Sequence, residues 1–280
     1  MKLAFGVCAL ALLVAACSPD TETAPAETAG VAAEADVLAA LCASTPSTSP
    51  VGAAPPSDGA AAKRFPLPNC TDVETTDAGA DGWKHPDCRL MFPDESGMAF
   101  EARYSAAEDE STEIEVQIVA KGDATLQTIE EIMGNTFNGP SLQDVDQDGR
   151  LDLLVPLETG NVNTTWAVYR QVAEGVFIKA GEPNGVGIQK SKSGCISVEG
   201  RSSASEYFVS FYKMAGDEMK PVATAEVAGR MEGDKVTGAD CTLADDGGIA
   251  AAGVNVETAR RQFCAEPPVQ QLISDMTGTP

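Results

Sequence analysis

The sequence predicts an all-β protein, mainly antiparallel and of the incomplete-propeller or sandwich-like kind, with short helices at its periphery. Three observations predict it. Ile114, Val116 and Ile118 alternate with Glu113, Glu115 and Gln117, the period of two expected of a strand with one wet face. Short runs rich in β-branched and aromatic residues recur through the second half, mostly bounded by Gly, Asp or Asn. No segment repeats another, so the strands are read as one domain and not as an array.

Taken in order, the chain opens with Lys2 and an apolar run from Leu3 to Ala16. That run is shorter than the roughly 20 residues a bilayer span needs, so residues 1–16 are read as a signal segment. Residues 17–34 are mostly Ser, Pro, Thr, Ala and Glu, the composition of a flexible tether. Within 35–62, Asp36 to Cys42 predicts a short helix with Val37, Leu38 and Leu41 on one side. A Ser/Thr/Pro/Ala/Gly loop follows, too poor in large apolar side chains to pack a core. Residues 63–268 form the β-rich domain. Beyond the alternation at 113–118, strands are predicted at Leu151–Pro156, Thr164–Val172, Ile196–Val198, Tyr207–Tyr212, Val222–Val227 and Val236–Leu243. Leu126–Met133 fits either a strand or a helix whose face is Leu126, Ile129, Ile132 and Met133. A helix is predicted near Val256–Cys264, capped by Asn255 and stopped by Pro267-Pro268, with 269–280 as a C-terminal tail.

Charge narrows the function classes. The 280 residues carry 42 acids against 19 Lys and Arg, a net charge of −23, and loss of Lys2 with the signal deepens it by one unit. Such a polyanion does not bind nucleic acid, whose affinity for proteins comes from clustered cations, and it attracts cationic partners. Histidine occurs once, at His85, which argues against a Ser-His-Asp triad, a Cys-His dyad or a multi-histidine metal site. His85, in Trp83-Lys-His-Pro-Asp87, reads as a loop residue, and the chain reads as a binding protein and not an enzyme. A glycosidase would need two carboxylates at about 5–10 Å, and nothing in the sequence selects such a pair.

Of eight cysteines, Cys8 departs with the signal. Leaving aside Cys17, the remaining Cys42, Cys70, Cys88, Cys195, Cys241 and Cys264 read as three disulfides in an oxidising compartment. Sequence distance favours Cys70–Cys88 and Cys195–Cys241, leaving Cys42 with Cys264.

The strongest chemical signal is Asp144-Val-Asp146-Gln-Asp148-Gly149-Arg150-Leu-Asp152, with carboxylates on alternate positions of a tight loop. Two such charges about 4 Å apart repel by about 4 kcal/mol at an effective dielectric near 20, so the loop calls for a cation. Ca²⁺ suits it, being hard, oxygen-seeking and tolerant of irregular coordination, whereas Mg²⁺ demands a stricter octahedron. Asp144, Asp146 and Asp148 would be side-chain ligands, Arg150 would offer its carbonyl, and Asp152 would bind directly or through water. Gly149 supplies the freedom for the turn. The other reading is a solvated acidic turn, and the position of the EF-hand's bidentate Glu is Val155, inside an apolar run.

Three resemblances add to this. Val14-Ala-Ala-Cys17 resembles the bacterial lipobox, which implies lipidation at Cys17, and Ser18 resembles Gram-negative signals that sort to the outer membrane, facing the periplasm. Lipid would then be the only membrane attachment. The run Leu142–Val155 with Gly160-Asn161-Val162-Asn163, Trp166-Ala-Val-Tyr169 and Gly175-Val-Phe177 resembles a single FG-GAP/VCBS-type calcium loop followed by two strands. In that form it is similar to periplasmic lysozyme-inhibitor-like lipoproteins. The resemblance implies a β-rich fold, sometimes calcium, and inhibition of a peptidoglycan-cleaving enzyme through a Ser-Gly-x-x-Tyr loop. Ser203-Ala204-Ser205-Glu206-Tyr207 has that Ser-to-Tyr spacing, with Ala204 where the family has Gly.

A cationic, lysozyme-like partner is thus implied, with Ser203 and Tyr207 at its interface. Its alternation with Val209 and Phe211 also makes Tyr207 an ordinary strand residue facing the core. Glu108-Asp109-Glu110 with Glu113 and Glu115 reads as a cation-docking surface or as a solvated hairpin end. The competing function is a calcium-stabilised structural or glycan-binding module of the envelope.

Overall fold

The computed structural model describes residues 37–47, 66–77, 79, 82–107 and 111–278. The signal segment, Cys17, the tether and Glu108–Glu110 lie outside the described residues. Beyond a small ribbon of β1 (Thr76–Asp77) and β2 (Trp83–Lys84), three antiparallel sheets stack face to face.

The first sheet comes from the clearest alternation. Its order is β3 (Cys88–Met91), β4 (Ala99–Ala106), β5 (Thr112–Val119) and β6 (Thr125–Met133). Ile114, Val116 and Ile118 are fully buried, while Glu113 and Glu115 take the opposite face. The ambiguous 126–133 segment is thus a strand. Glu115 lies opposite Arg103 on one side and Glu130 on the other.

The middle sheet runs β7 (Ser141–Gln143), β8 (Asp152–Thr159), β9 (Thr164–Ala173) and β10 (Val176–Gly181), with β11 (Asn184–Gly185) added to β9. Its strands are covered on both faces, which is why β8 and β9 read as near-continuous apolar runs instead of alternating. Leu153, Val155, Ala167 and Phe177 pack against Phe100, Val116 and Ile118 of the first sheet. Leu154, Val168 and Ala180 pack the other way, against Ile196, Val198 and Met214.

Those last residues belong to the third sheet, β12 (Gly187–Lys190), β13 (Ile196–Arg201), β14 (Glu206–Ala215), β15 (Glu218–Glu232) and β16 (Lys235–Asp245). Gly200 gives the Phe208 ring its place there: a Cβ would sit 2.0 Å from that ring on the neighbouring strand and displace it. The far face carries Val209, Phe211, Ala225 and Val227 and is covered by helices. These are α1 (residues 37–42), α2 (Gly248–Ala251), α3 (Val256–Phe263) and α4 (Pro267–Thr277). The Asn255 side chain accepts from the Thr258 N–H and caps α3, as its sequence predicted. Pro267 and Pro268 open α4, so the stretch from 269 that was expected to be a tail buries Val269 and Leu272 in the core.

Cys70–Cys88 pairs as expected, but the other bridges are Cys42–Cys195 and Cys241–Cys264. The expected Cys195–Cys241 and Cys42–Cys264 pairs are corrected by sheet geometry. Cys195 adjoins β13 and Cys241 lies in β16, with two strands between them. At about 4.8 Å per strand that gap of roughly 14 Å is far beyond a disulfide's Cα reach of about 7 Å.

Candidate functional site

The acidic run is the connection of the β7–β8 hairpin. Register places Gln143 opposite Asp152, so Asp144 and Asp152 meet at the hairpin's mouth while Asp146 folds inward between them. Gln147 at φ 63° and Gly149 at φ 88° make the left-handed steps that close so short a loop. One carboxylate oxygen from each of Asp144, Asp146 and Asp152 lies within 4.8 Å of the others. Three of the five expected ligand residues therefore converge through their side chains. Asp148 does not join them: it is exposed, its Oδ1 accepts from the Arg150 N–H, and its Oδ2 lies 3.5 Å from Arg170. The Arg150 side chain leaves the loop and donates to the Val172 carbonyl at 2.8 Å.

Asp152 is wholly buried, accepting from the Gln171 and Val145 N–H groups at 2.9 Å each. Burial nonetheless pushes its carboxyl up to about 7, against the downward pull of those two hydrogen bonds. Asp146 is also raised, again mainly by burial, with Arg170 pulling it back. Asp144 Oδ2 accepts from Gly149 N and lies 3.4 Å from Lys190 Nζ, whereas its Oδ1 is buried and meets no hydrogen-bond donor among the described residues. Asp146 Oδ2 likewise has no hydrogen-bond donor, and a set of hard oxygens with two orphaned lone-pair donors fits a hard divalent cation such as Ca²⁺.

Arg170 was not singled out from the sequence, yet it is the counter-charge at the centre of the loop. Its Nε lies 2.7 Å from Asp146 Oδ2, and only 5% of the residue is exposed. The signal was present: a charged side chain within the apolar run of β9 must find a partner, because an unpaired buried charge is prohibitively costly. The acids lie within the loop, and their neutraliser comes from the adjacent strand.

The Gly160–Asn163 and Ser203–Tyr207 motifs meet elsewhere. Gly160–Asn163 turns β8 into β9, and Ser202–Ser205 turns β13 into β14. Asn163 joins the turns, its Oδ1 accepting from the Arg201 N–H and its Nδ2 donating to the Arg201 carbonyl. Between them opens a cleft of about 600 Å³ lined by Glu158, Asn161, Asn184, Arg201 and Ser203, among others. Ser203 is exposed on its rim. Tyr207 is half-buried on the helix-covered face, against the third sheet's core, with the Arg201 guanidinium 5.2 Å above its ring.

His85 follows β2 in a loop, as expected. Its Nε2 meets the Thr136 carbonyl at 2.8 Å, its ring stacks on Tyr104, and burial lowers its pKa.

These features define a disulfide-bonded, layered antiparallel β protein with a carboxylate site on a hairpin and a polar cleft between two turns. Neither a family model nor a curated protein matches the chain. A solved structure described as a Xanthomonas type IV secretion system related protein aligns with 61% of this chain and 93% of its own, at 10% identity and a TM-score of 0.35. At that distance nothing of fold or function carries over.

Proposed function

We propose that this chain is an exported, calcium-binding lipoprotein that binds and inhibits a peptidoglycan-degrading, lysozyme-type enzyme. The observation that carries the reading is the Asp144–Asp146–Asp152 cluster with the orphaned Asp144 Oδ1, set in the stretch that resembles a single FG-GAP/VCBS-type loop. Calcium would be held by those three carboxylates, stiffening the hairpin that leads into β8 and β9. A net charge of −23 would steer a cationic wall-degrading enzyme toward the surface, over a Debye length of about 8 Å at physiological salt. The turn carrying Ser203 stands exposed for contact. Export with lipid at Cys17 would place the protein on the periplasmic side of the outer membrane. No helix among the described residues is long and apolar enough to cross a membrane.

A second reading, a calcium-stabilised envelope module that holds glycan without inhibiting anything, is favoured by the cleft. Its named lining pairs one acid, Glu158, with one base, Arg201, among amides and hydroxyls, a neutral polar surface suited to a neutral polar ligand. Both readings make it a binding protein and not an enzyme. A cell-wall lysis assay with several lysozyme classes separates them. Dose-dependent inhibition supports the first; undiminished lysis with retained binding to soluble glycan supports the second and rejects the first.

A further inference from the structure

We propose that Arg170 is a built-in competitor for the aspartate site: its guanidinium and a divalent cation take turns on Asp146, and this exchange sets the affinity of the loop. The inference rests on the calcium reading and adds to it the residue that controls occupancy.

Arg170 is almost fully buried, and its contacts account for where its charge goes. Nε faces Asp146 Oδ2 at 2.7 Å, Nη2 faces Asp148 Oδ2 at 3.5 Å, and Nη1 donates to the Gly216 carbonyl at 2.7 Å. Asp146 Oδ1 accepts from the Asp148 N–H at 3.3 Å, while Oδ2 has the Arg170 charge beside it but no hydrogen bond, which leaves that oxygen open to a cation. A cation bridging Asp144, Asp146 and Asp152 draws on the same carboxylate and sets two positive charges beside a third in a poorly screened interior. A guanidinium cannot relieve that repulsion by losing a proton. What it retains is Asp148 at the loop's exposed edge and the Gly216 carbonyl, both outside the three-carboxylate cluster. Asp148 is thus the acid that receives the displaced guanidinium, which accounts for its place outside the cluster. Because the coupling is reciprocal, whatever hold Arg170 has on Asp146 is subtracted from the cation's affinity. The site is thereby tuned toward weaker binding than its carboxylates alone would give.

Through Gly216, which it keeps, Arg170 is also linked to the N-terminal segment. Gly216 N donates to Thr45 Oγ1 at 2.7 Å, and the Thr45 N–H donates to the Met214 carbonyl. The Arg170 guanidinium therefore stands between the aspartate loop and the turn that anchors residues 42–47.

The test is calcium titration of the full mature chain, expressed without lipid, beside its Arg170→Met variant. The variant should bind calcium about tenfold more tightly or better, and its melting temperature should be lower without calcium and recover with it. Equal or weaker binding by a folded variant overturns the proposal while leaving the calcium reading intact. Calcium binding by neither protein overturns both. Should the variant not fold, the Arg170 Nε–H resonance of the wild-type protein decides. It should shift as calcium saturates the site, and an unmoved resonance in calcium-bound protein overturns the exchange.

Discussion

Asp152 has a clear pH signature among the described residues. Its carboxyl ordinarily titrates at 3.8 and is pushed to about 7 in the fold, so the folded state holds its proton more tightly than the unfolded chain does. The stability this group contributes is complete below about pH 4 and is lost as pH rises through 7, by a few kcal/mol at most. The raised Asp146 acts in the same direction. Without divalent cation, the melting temperature should fall between pH 4 and 7, and Asp152→Asn should flatten that slope; an equal slope in the variant would assign it to other groups. Asp146→Ala should shrink the calcium-dependent rise in melting temperature. An undiminished rise would place the ion elsewhere.

At the scale of elements, the burial of β8 and β9 on both faces makes them the structural centre of the sheet stack. Leu153→Ala, at a fully buried position between the first and middle sheets, should cost about 2–5 kcal/mol in chemical denaturation. A loss below 1 kcal/mol would mean that these layers are loosely packed. Tyr207 lies on the helix-covered face of β14. Tyr207→Ala should therefore lower thermal stability measurably, and a drop in inhibition with stability unchanged would instead make it an interface anchor.

The alternation at 113–118 and the Asn255 cap were legible because each is local: a period of two or a single capping side chain suffices. The ambiguous 126–133 segment was settled only by pairing, since β6 completes a sheet whose other strands it cannot announce. The aspartate hairpin was visible as a motif. Its neutraliser was not, because Arg170 meets Asp146 across the β8–β9 pairing, which the sequence of the loop does not encode.

At the scale of the whole molecule, two bridges fasten the helical layer to the third sheet. Cys42–Cys195 ties the N-terminal helix to the edge of β13, and Cys241–Cys264 ties the third sheet to α3. Cys241 and Cys264 lie 23 residues apart, closer along the chain than Cys195 and Cys241, so the nearer pair forms, while the expected Cys195–Cys241 bridge is barred by the strands between them. Peptide mapping without reduction should recover these two pairs, and Cys195–Cys241 peptides would refute the layered arrangement. Replacing both Cys42 and Cys195 by Ser should speed amide exchange in residues 37–47 far more than in β8. Uniform exchange would show that the N-terminal segment docks without its bridge.

All of these scales return to whether the hairpin at 144–152 takes up a divalent ion. Isothermal titration of the lipid-free chain with calcium at neutral pH measures this directly. The account predicts saturable binding at one site, weakened or abolished in Asp146→Ala. Absence of any binding heat up to millimolar calcium, with the protein folded, would contradict it.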